Sequence, residues 1–183
     1  MKIEEYIDNK KEVLSNLDLD EWSAAIKVVE SAWKDKKKII TCGNGGSALT
    51  ALHFIADWNK SVFIKTSKPF YGCSMVDNIG LMMAYANDVS YDDIFVEQLK
   101  NIAQKGDLVI FISGSGNSVN IINAAHYAAK NELNMLALCG YDGGILKKVV
   151  DTHLHVKSFD MQIVEDMHLM FGHLVMKKLC NES

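Results

Sequence analysis

The sequence predicts an α/β protein, a three-layer α-β-α sandwich around a five-stranded parallel sheet, preceded by a helical N-terminal segment. Two observations carry this reading. Short, nearly continuous apolar runs recur at residues 39–42, 71–75, 108–112, 135–139 and 153–156. Between and after them lie segments with helical spacing of apolar residues, at 46–58, 78–86, 91–103, 117–130, 144–149 and 161–180. Strands that are apolar on both faces and alternate with amphipathic helices belong to a parallel sheet covered on both sides.

The elements follow in order. Ile3, Tyr6, Ile7, Val13 and Leu14 predict a first helix over residues 2–16. Asp20 is placed to cap a second, which runs through Trp22, Ile26, Val29 and Trp33. Each has one apolar stripe to bury, against the body or against another subunit, and residues 1–36 are read as N-terminal helices used in oligomerisation. Residues 37–183 form the α/β body, and the two make one structural domain. Leu108–Ile112 is the most regular strand: Gly106-Asp107 turns the chain into it, and Ser113-Gly114-Ser115-Gly116 takes it out. Residues 60–69 are weakly patterned and predict a loop or a short edge element.

Composition narrows the function. A length of 183 residues, 49% hydrophobic and 23% charged, suits one globular domain with a real core. A net charge of −4 argues against nucleic-acid binding. The one basic cluster, Lys34 to Lys38, falls where a helix should end, and cations are favoured there. Four cysteines, Cys42, Cys73, Cys139 and Cys180, form no C-x-x-C pair and predict a reduced compartment. The acidic N-terminus is no signal peptide, and no apolar run approaches a membrane span, so the cytoplasm is expected.

Two loops carry ligand chemistry. Cys42-Gly43-Asn44-Gly45-Gly46-Ser47 and Ser113-Gly114-Ser115-Gly116-Asn117-Ser118 each follow a predicted strand and open a helix. Ligands of open α/β sheets gather outside the carboxyl ends of the strands. Glycines let the backbone approach an anion, and free N–H groups at a helix start point towards it. Neither loop spells the dinucleotide fingerprint or the P-loop. Either could be an ordinary turn; two on one sheet edge favour phosphate. Ser113, Ser115 and Ser118 are the better phosphate candidates, with Asn44, Gly45, Gly46 and Ser47 at the sugar end.

A second group lies on two helices. His53 and Asp57 are four apart and share a face, and Glu165 and His173, eight apart, do so approximately. His168 is turned about 60° from Glu165 and points elsewhere. Two histidines and two carboxylates suit a divalent metal, or proton shuttling between sugar carbons.

Four stretches, CGNGGSALTALHFIADWNK (42–60), YANDVSYDDIFVEQL (85–99), SGSGNSVNII (113–122) and VEDMHLMFGH (164–173), occur in this order. In them the chain resembles the sedoheptulose 7-phosphate isomerases of the sugar isomerase (SIS) superfamily. The resemblance implies the SIS phosphosugar-binding fold, a homotetramer with sites at subunit interfaces, and aldose–ketose isomerisation in heptose biosynthesis for a surface glycan. It implies Asn44, Gly45, Gly46, Ser47, Asn87 and Asp88 on the sugar, and Ser113, Gly114, Ser115 and Ser118 on the phosphate. It further implies zinc held by His53, Asp57, Glu165 and His173, with Asp57, His173 and Glu165 catalytic. Two positions depart from the family pattern, which has glutamate at 57 and glutamine at 165. A zinc held by two carboxylates and two histidines would be neutral, so Glu165 could compensate for the shorter Asp57. Trp58-Asn59-Lys60 departs as well. The same fold also implies two rivals, a tetramer that binds the initiator DnaA and a phosphosugar-binding regulator. Retention of His53, Asp57, Glu165 and His173 favours the enzyme.

Overall fold

The computed structural model of the chain describes residues 2–181. Its helices are α1 (Ile3–Ser15), α2 (Leu19–Lys34), α3 (Gly45–Asp57), α4 (Phe63–Thr66), α5 (Ile79–Asp88), α6 (Ile94–Ile102), α7 (Val119–Lys130), α8 (Leu146–Val149) and α9 (Met161–Cys180). Its strands are β1 (Ile39–Gly43), β2 (Gly72–Ser74), β3 (Leu108–Ser113), β4 (Asn134–Cys139) and β5 (Thr152–His155). All pair in parallel, in the order β2-β1-β3-β4-β5. The chain goes from β1 to β2 on one side, then crosses to β3 on the other. The crevice between the carboxyl ends of β1 and β3 is therefore the topological switch point, where such sheets take ligands.

The strand periodicity holds because the centre of the sheet is dry: β1 and β3 are buried along their whole length. Helices α2, α3 and α9 cover one face, and α6 and α7 the other. Helix α9 turns Ile163, Val164, Met167, Phe171, Val175 and Leu179 inwards. Helix α2 is tied to β5 through Glu21, whose carboxylate accepts from the His155 backbone N–H at 3.1 Å and lies 3.4 Å from His153. Helix α1 buries no residue and leaves Ile3, Ile7 and Leu14 exposed. It is held by Asp166, which accepts from the Tyr6 hydroxyl at 3.0 Å and the Lys10 ammonium at 2.6 Å.

Two local expectations are corrected. Asp18, not Asp20, caps α2, accepting from the backbone N–H groups of Asp20 and Glu21 at 3.1 Å. Asp20 instead lies in the first turn, where a carboxylate favours the helix dipole. Residues 60–69 are not a loop or edge strand at their start: α3 runs on through a π-helical turn, Trp58–Val62, into α4. The side chains explain why. The Trp58 indole is fully buried, stacks on Phe54 with centroids 4.9 Å apart, and donates to the Gly172 carbonyl at 2.9 Å. Asn59 pairs with edge strand β2, accepting from Gly72 N–H and donating to Gly72 C=O, both at 3.0 Å. The unusual Trp-Asn sequence thus serves packing.

All four cysteines are free thiols. Burial raises the pKa of Cys42, of Cys73 to about 11 and of Cys139 to about 12, so these three stay protonated at neutral pH. No helix among the described residues is long and apolar enough to cross a membrane.

His168 is fully buried. Burial depresses its pKa from 6.5 to about 4, with the Cys139 backbone partly offsetting this. Below pH 6.5 the unfolded chain binds a proton that the native state refuses, so stability falls as pH drops towards 4. Between pH 7.5 and pH 5 this one group should remove about 2 kcal/mol. Urea unfolding of His168→Leu at both pH values should lack that component. The Gly172 carbonyl already binds Trp58, and a Cβ at Gly172 would stand 2.2 Å from the Phe54 ring. Gly172→Ala should therefore destabilise by about 1–3 kcal/mol, the usual cost of overpacking, despite alanine's better helix propensity. Urea unfolding at pH 7.5 measures it.

Candidate active site

The two ligand loops meet at the switch point. Asn44, Gly45, Gly46 and Ser47 from the start of α3, and Ile112, Ser113, Gly114, Ser115 and Ser118 around the end of β3, line one cavity. Met161 and Glu165 of α9 close it, and its volume is about 270 Å³. Two of the helices that open into it, α3 and α7, have no side-chain cap at their N-termini, as is also true of α6 elsewhere in the fold. Asp18, Asn78 and Asp160 cap α2, α5 and α9 in the ordinary way, by accepting from first-turn N–H groups. Asn44 and Ser118 occupy the corresponding positions of α3 and α7, with extended backbones, and make no side-chain cap. Ser118 instead bonds to the buried Ser113, Oγ to Oγ at 3.4 Å. Two helix N-termini thus face the cavity with free donors and positive dipole ends, a combination that binds oxyanions.

Glu165 also faces this space. Its carboxylate lies so close to Gly46 that a Cβ there would be 2.5 Å from Oε1. An acidic group at the start of α3 is favoured by the helix dipole, and it sits where substrate oxygens would approach.

The second group is distinct. His53 Nε2 lies 3.2 Å from Asp57 Oδ2 and 3.3 Å from His173 Nε2. The three ligand atoms all lie within 4.8 Å of one another. Two imidazole nitrogens and a carboxylate oxygen gathered this closely are a donor set suited to a divalent metal ion. The sequence placed Glu165 with this set, but the structure does not bring it there. Helices α3 and α9 run side by side in the same direction, so Glu165 meets Gly46 while His173 meets His53. Eight helical residues separate Glu165 from His173, about 12 Å along α9.

Of the remaining expected residues, Asn87 and Asp88 end α5, are exposed and hydrogen-bond to each other at 2.8 Å. Neither lines the cavity. The sequence reading missed Met161 and Asn120. Asn120 is buried in line with Ala124 and Ala128 on the core face of α7. A lone amide on an apolar helical stripe is the signal that could have marked it.

The comparisons agree with a sugar-phosphate fold: the profile of the SIS domain matches residues 5–140. A phosphoheptose isomerase of Clostridium acetobutylicum is 33% identical over 175 residues, covering 95% of this chain and 89% of the relative. One from Aliarcobacter butzleri is 36% identical over 158 residues, covering 86% and 83%. The solved structure of a phosphoheptose isomerase from Neisseria gonorrhoeae superposes with a TM-score of 0.86 at 27% identity, covering 96% of this chain and 92% of that one. The chain belongs to the phosphoheptose isomerase family of SIS-domain proteins.

The carboxylate of Glu165 repels any anion in the cavity. Glu165→Gln removes that charge and should tighten binding of inorganic phosphate by about tenfold, the scale of one charge–charge term at partly solvated distances. A phosphate titration followed by calorimetry measures it.

Proposed function

We propose that the chain interconverts sedoheptulose 7-phosphate and D-glycero-D-manno-heptose 7-phosphate through an enediolate, in the cytoplasm, as a step of heptose biosynthesis. The observation that carries this reading is the spacing of two sites along one helix. The anion cavity lies at Gly46, and the His53–Asp57–His173 group begins two helical turns further on, about 10 Å along α3. A sugar phosphate anchored at the 113–118 loop and running past Gly46 would point its reacting carbons along α3 towards that group.

In this assignment Ser113, Gly114, Ser115 and Ser118 hold the phosphate, with the start of α7 supplying N–H donors. Gly45, Gly46 and Ser47 meet the sugar hydroxyls; the Asn44 side chain, expected there too, is instead taken up by Asn120 and Tyr91 and contributes no bond to the sugar. Asp57 has one oxygen towards His53 and a second free to act as base. It takes a proton from C1 of the ketose while His173 protonates the C2 oxygen; after exchange with solvent it delivers a proton to C2 as the C1 hydroxyl gives its own proton back to His173. A divalent ion, zinc by its fit to two imidazoles and a carboxylate, would be held by His53, Asp57 and His173 and would stabilise the developing oxyanion. Glu165, at the cavity end, orients the hydroxyls near Gly46 by accepting from them.

Assembly as a homotetramer belongs to the same proposal. It is supported by an apolar surface that the single chain leaves open beside the site: Leu49, Ile79, Met83 and Tyr91 are exposed around one groove. It would also give Asn87 and Asp88, solvent-facing here, a neighbouring site to line. Helix α1, with its exposed Ile3 and Ile7, is a second oligomerisation element.

Purified protein supplied with zinc should convert sedoheptulose 7-phosphate in deuterated water to heptose 7-phosphate carrying deuterium at C2, as read by NMR. Asp57→Asn and His173→Ala should each lower kcat by at least about 100-fold, the usual contribution of a positioned acid or base. His53→Ala should lose bound metal by elemental analysis. Absence of turnover would count against the isomerase reading, and full activity of Asp57→Asn would remove Asp57 as the base.

A further inference from the structure

Asn44 has the backbone of a capping residue, φ −111° and ψ 153°, at the start of α3. An asparagine there ordinarily accepts from the second or third N–H of its own helix. This one is turned sideways. Its Nδ2 donates to Asn120 Oδ1 at 2.9 Å, and Asn120 Nδ2 donates back to Asn44 Oδ1 at 3.0 Å. The Tyr91 hydroxyl donates to the same Oδ1, also at 3.0 Å. The one acceptor oxygen that could cap α3 is thus filled by two outside donors.

Asn120 is 2% exposed and does not line the cavity. Its amide has little freedom, because it sits on the core face of α7 beside Ile121 and Ala124. A buried amide whose polar atoms find a matched partner is strongly held, since breaking the pair would leave both its donor and its acceptor without a bond.

We propose that Asn120 is a positioning residue: by holding the Asn44 side chain away from α3, it keeps the first-turn N–H groups of that helix free for substrate oxygens. The two loops that flank the cavity are joined by the same pair, one amide from each helix. This role rests on the reading of the cavity as the sugar-phosphate site. Without Asn120, the Asn44 amide would swing onto its own helix and compete with the substrate for those donors. The loss would fall on binding and spare the chemical step, because the proton-transfer groups lie two turns further along α3.

The test uses the full-length chain with zinc and sedoheptulose 7-phosphate, measuring kcat, KM and calorimetric affinity. Asn120→Ala should raise KM about tenfold, the scale on which an N-cap asparagine holds its helix, with kcat within about threefold of the unsubstituted chain. The decisive variant is Asn44→Gly in the Asn120→Ala background, which deletes the competing cap and should return KM to within about threefold. A merely structural tie predicts the opposite, a double variant no better than Asn120→Ala, and that result would overturn the proposal. So would an unchanged KM in Asn120→Ala. If Asn120→Ala does not fold, Asn44→Gly alone should keep its KM within about threefold, and a tenfold rise would overturn the role. Binding and turnover absent from the unsubstituted chain would overturn the cavity reading and this role with it. Normal behaviour there, with no effect of the variants, overturns the role alone.

Discussion

The close approach of α3 and α9 at Gly172 is the constraint on which the site depends. With no side chain at 172, the Phe54 ring lies directly against the α9 backbone, and Trp58 reaches past it to the Gly172 carbonyl. Phe171 continues the seam, with its ring centroid 6.2 Å from Phe54 and 6.1 Å from Trp22. Aromatic rings in edge and offset contact resist sliding, because a small shift costs both dispersion and ring–ring geometry. His53 precedes Phe54 and His173 follows Gly172, so the seam that fixes the core also fixes the 3.3 Å gap between the two imidazoles.

The second requirement is electrostatic. A cavity for a sugar phosphate needs donors that are already oriented and not already used. The sheet supplies the position, because its strand order reverses between β1 and β3 and leaves a crevice at their carboxyl ends. The side chains supply the availability. Asn44 is engaged with Asn120, and Ser118 with Ser113, so two helix starts keep their N–H groups open. Glu165 works in the other direction, adding a negative charge beside Gly46. The cavity therefore sets two open helix starts against one acidic wall.

The sequence was readable where periodicity and burial coincide. Helix α9 matches the stretch expected from its apolar spacing, and the cores of the five strands fall on the five apolar runs. It was less readable where one side chain decides a local outcome. Aspartates at 18 and 20 both suit a cap, and only the backbone path shows that Asp18 reaches the free N–H groups. Residues 58–66 have no clear helical stripe, because their helix is held by an indole and an amide reaching distant backbone atoms. Glu165 and His173 share a face of α9, yet eight residues of rise carry them to different sites.

By itself the sequence determined the class of fold, the two glycine–serine loops at strand ends, and the pairing of His53 with Asp57 on one helix face. These are local properties, set by a repeat of two or 3.6 residues and by turn chemistry, and they need no knowledge of what lies across the sheet. Only the tertiary structure decided the strand order, which loops share a crevice, that α3 and α9 lie in parallel register, and that Asn44 faces Asn120 across 76 residues of chain. Those outcomes depend on contacts between segments far apart in sequence, whose relative height and direction are fixed by packing volume and not by any one segment's pattern.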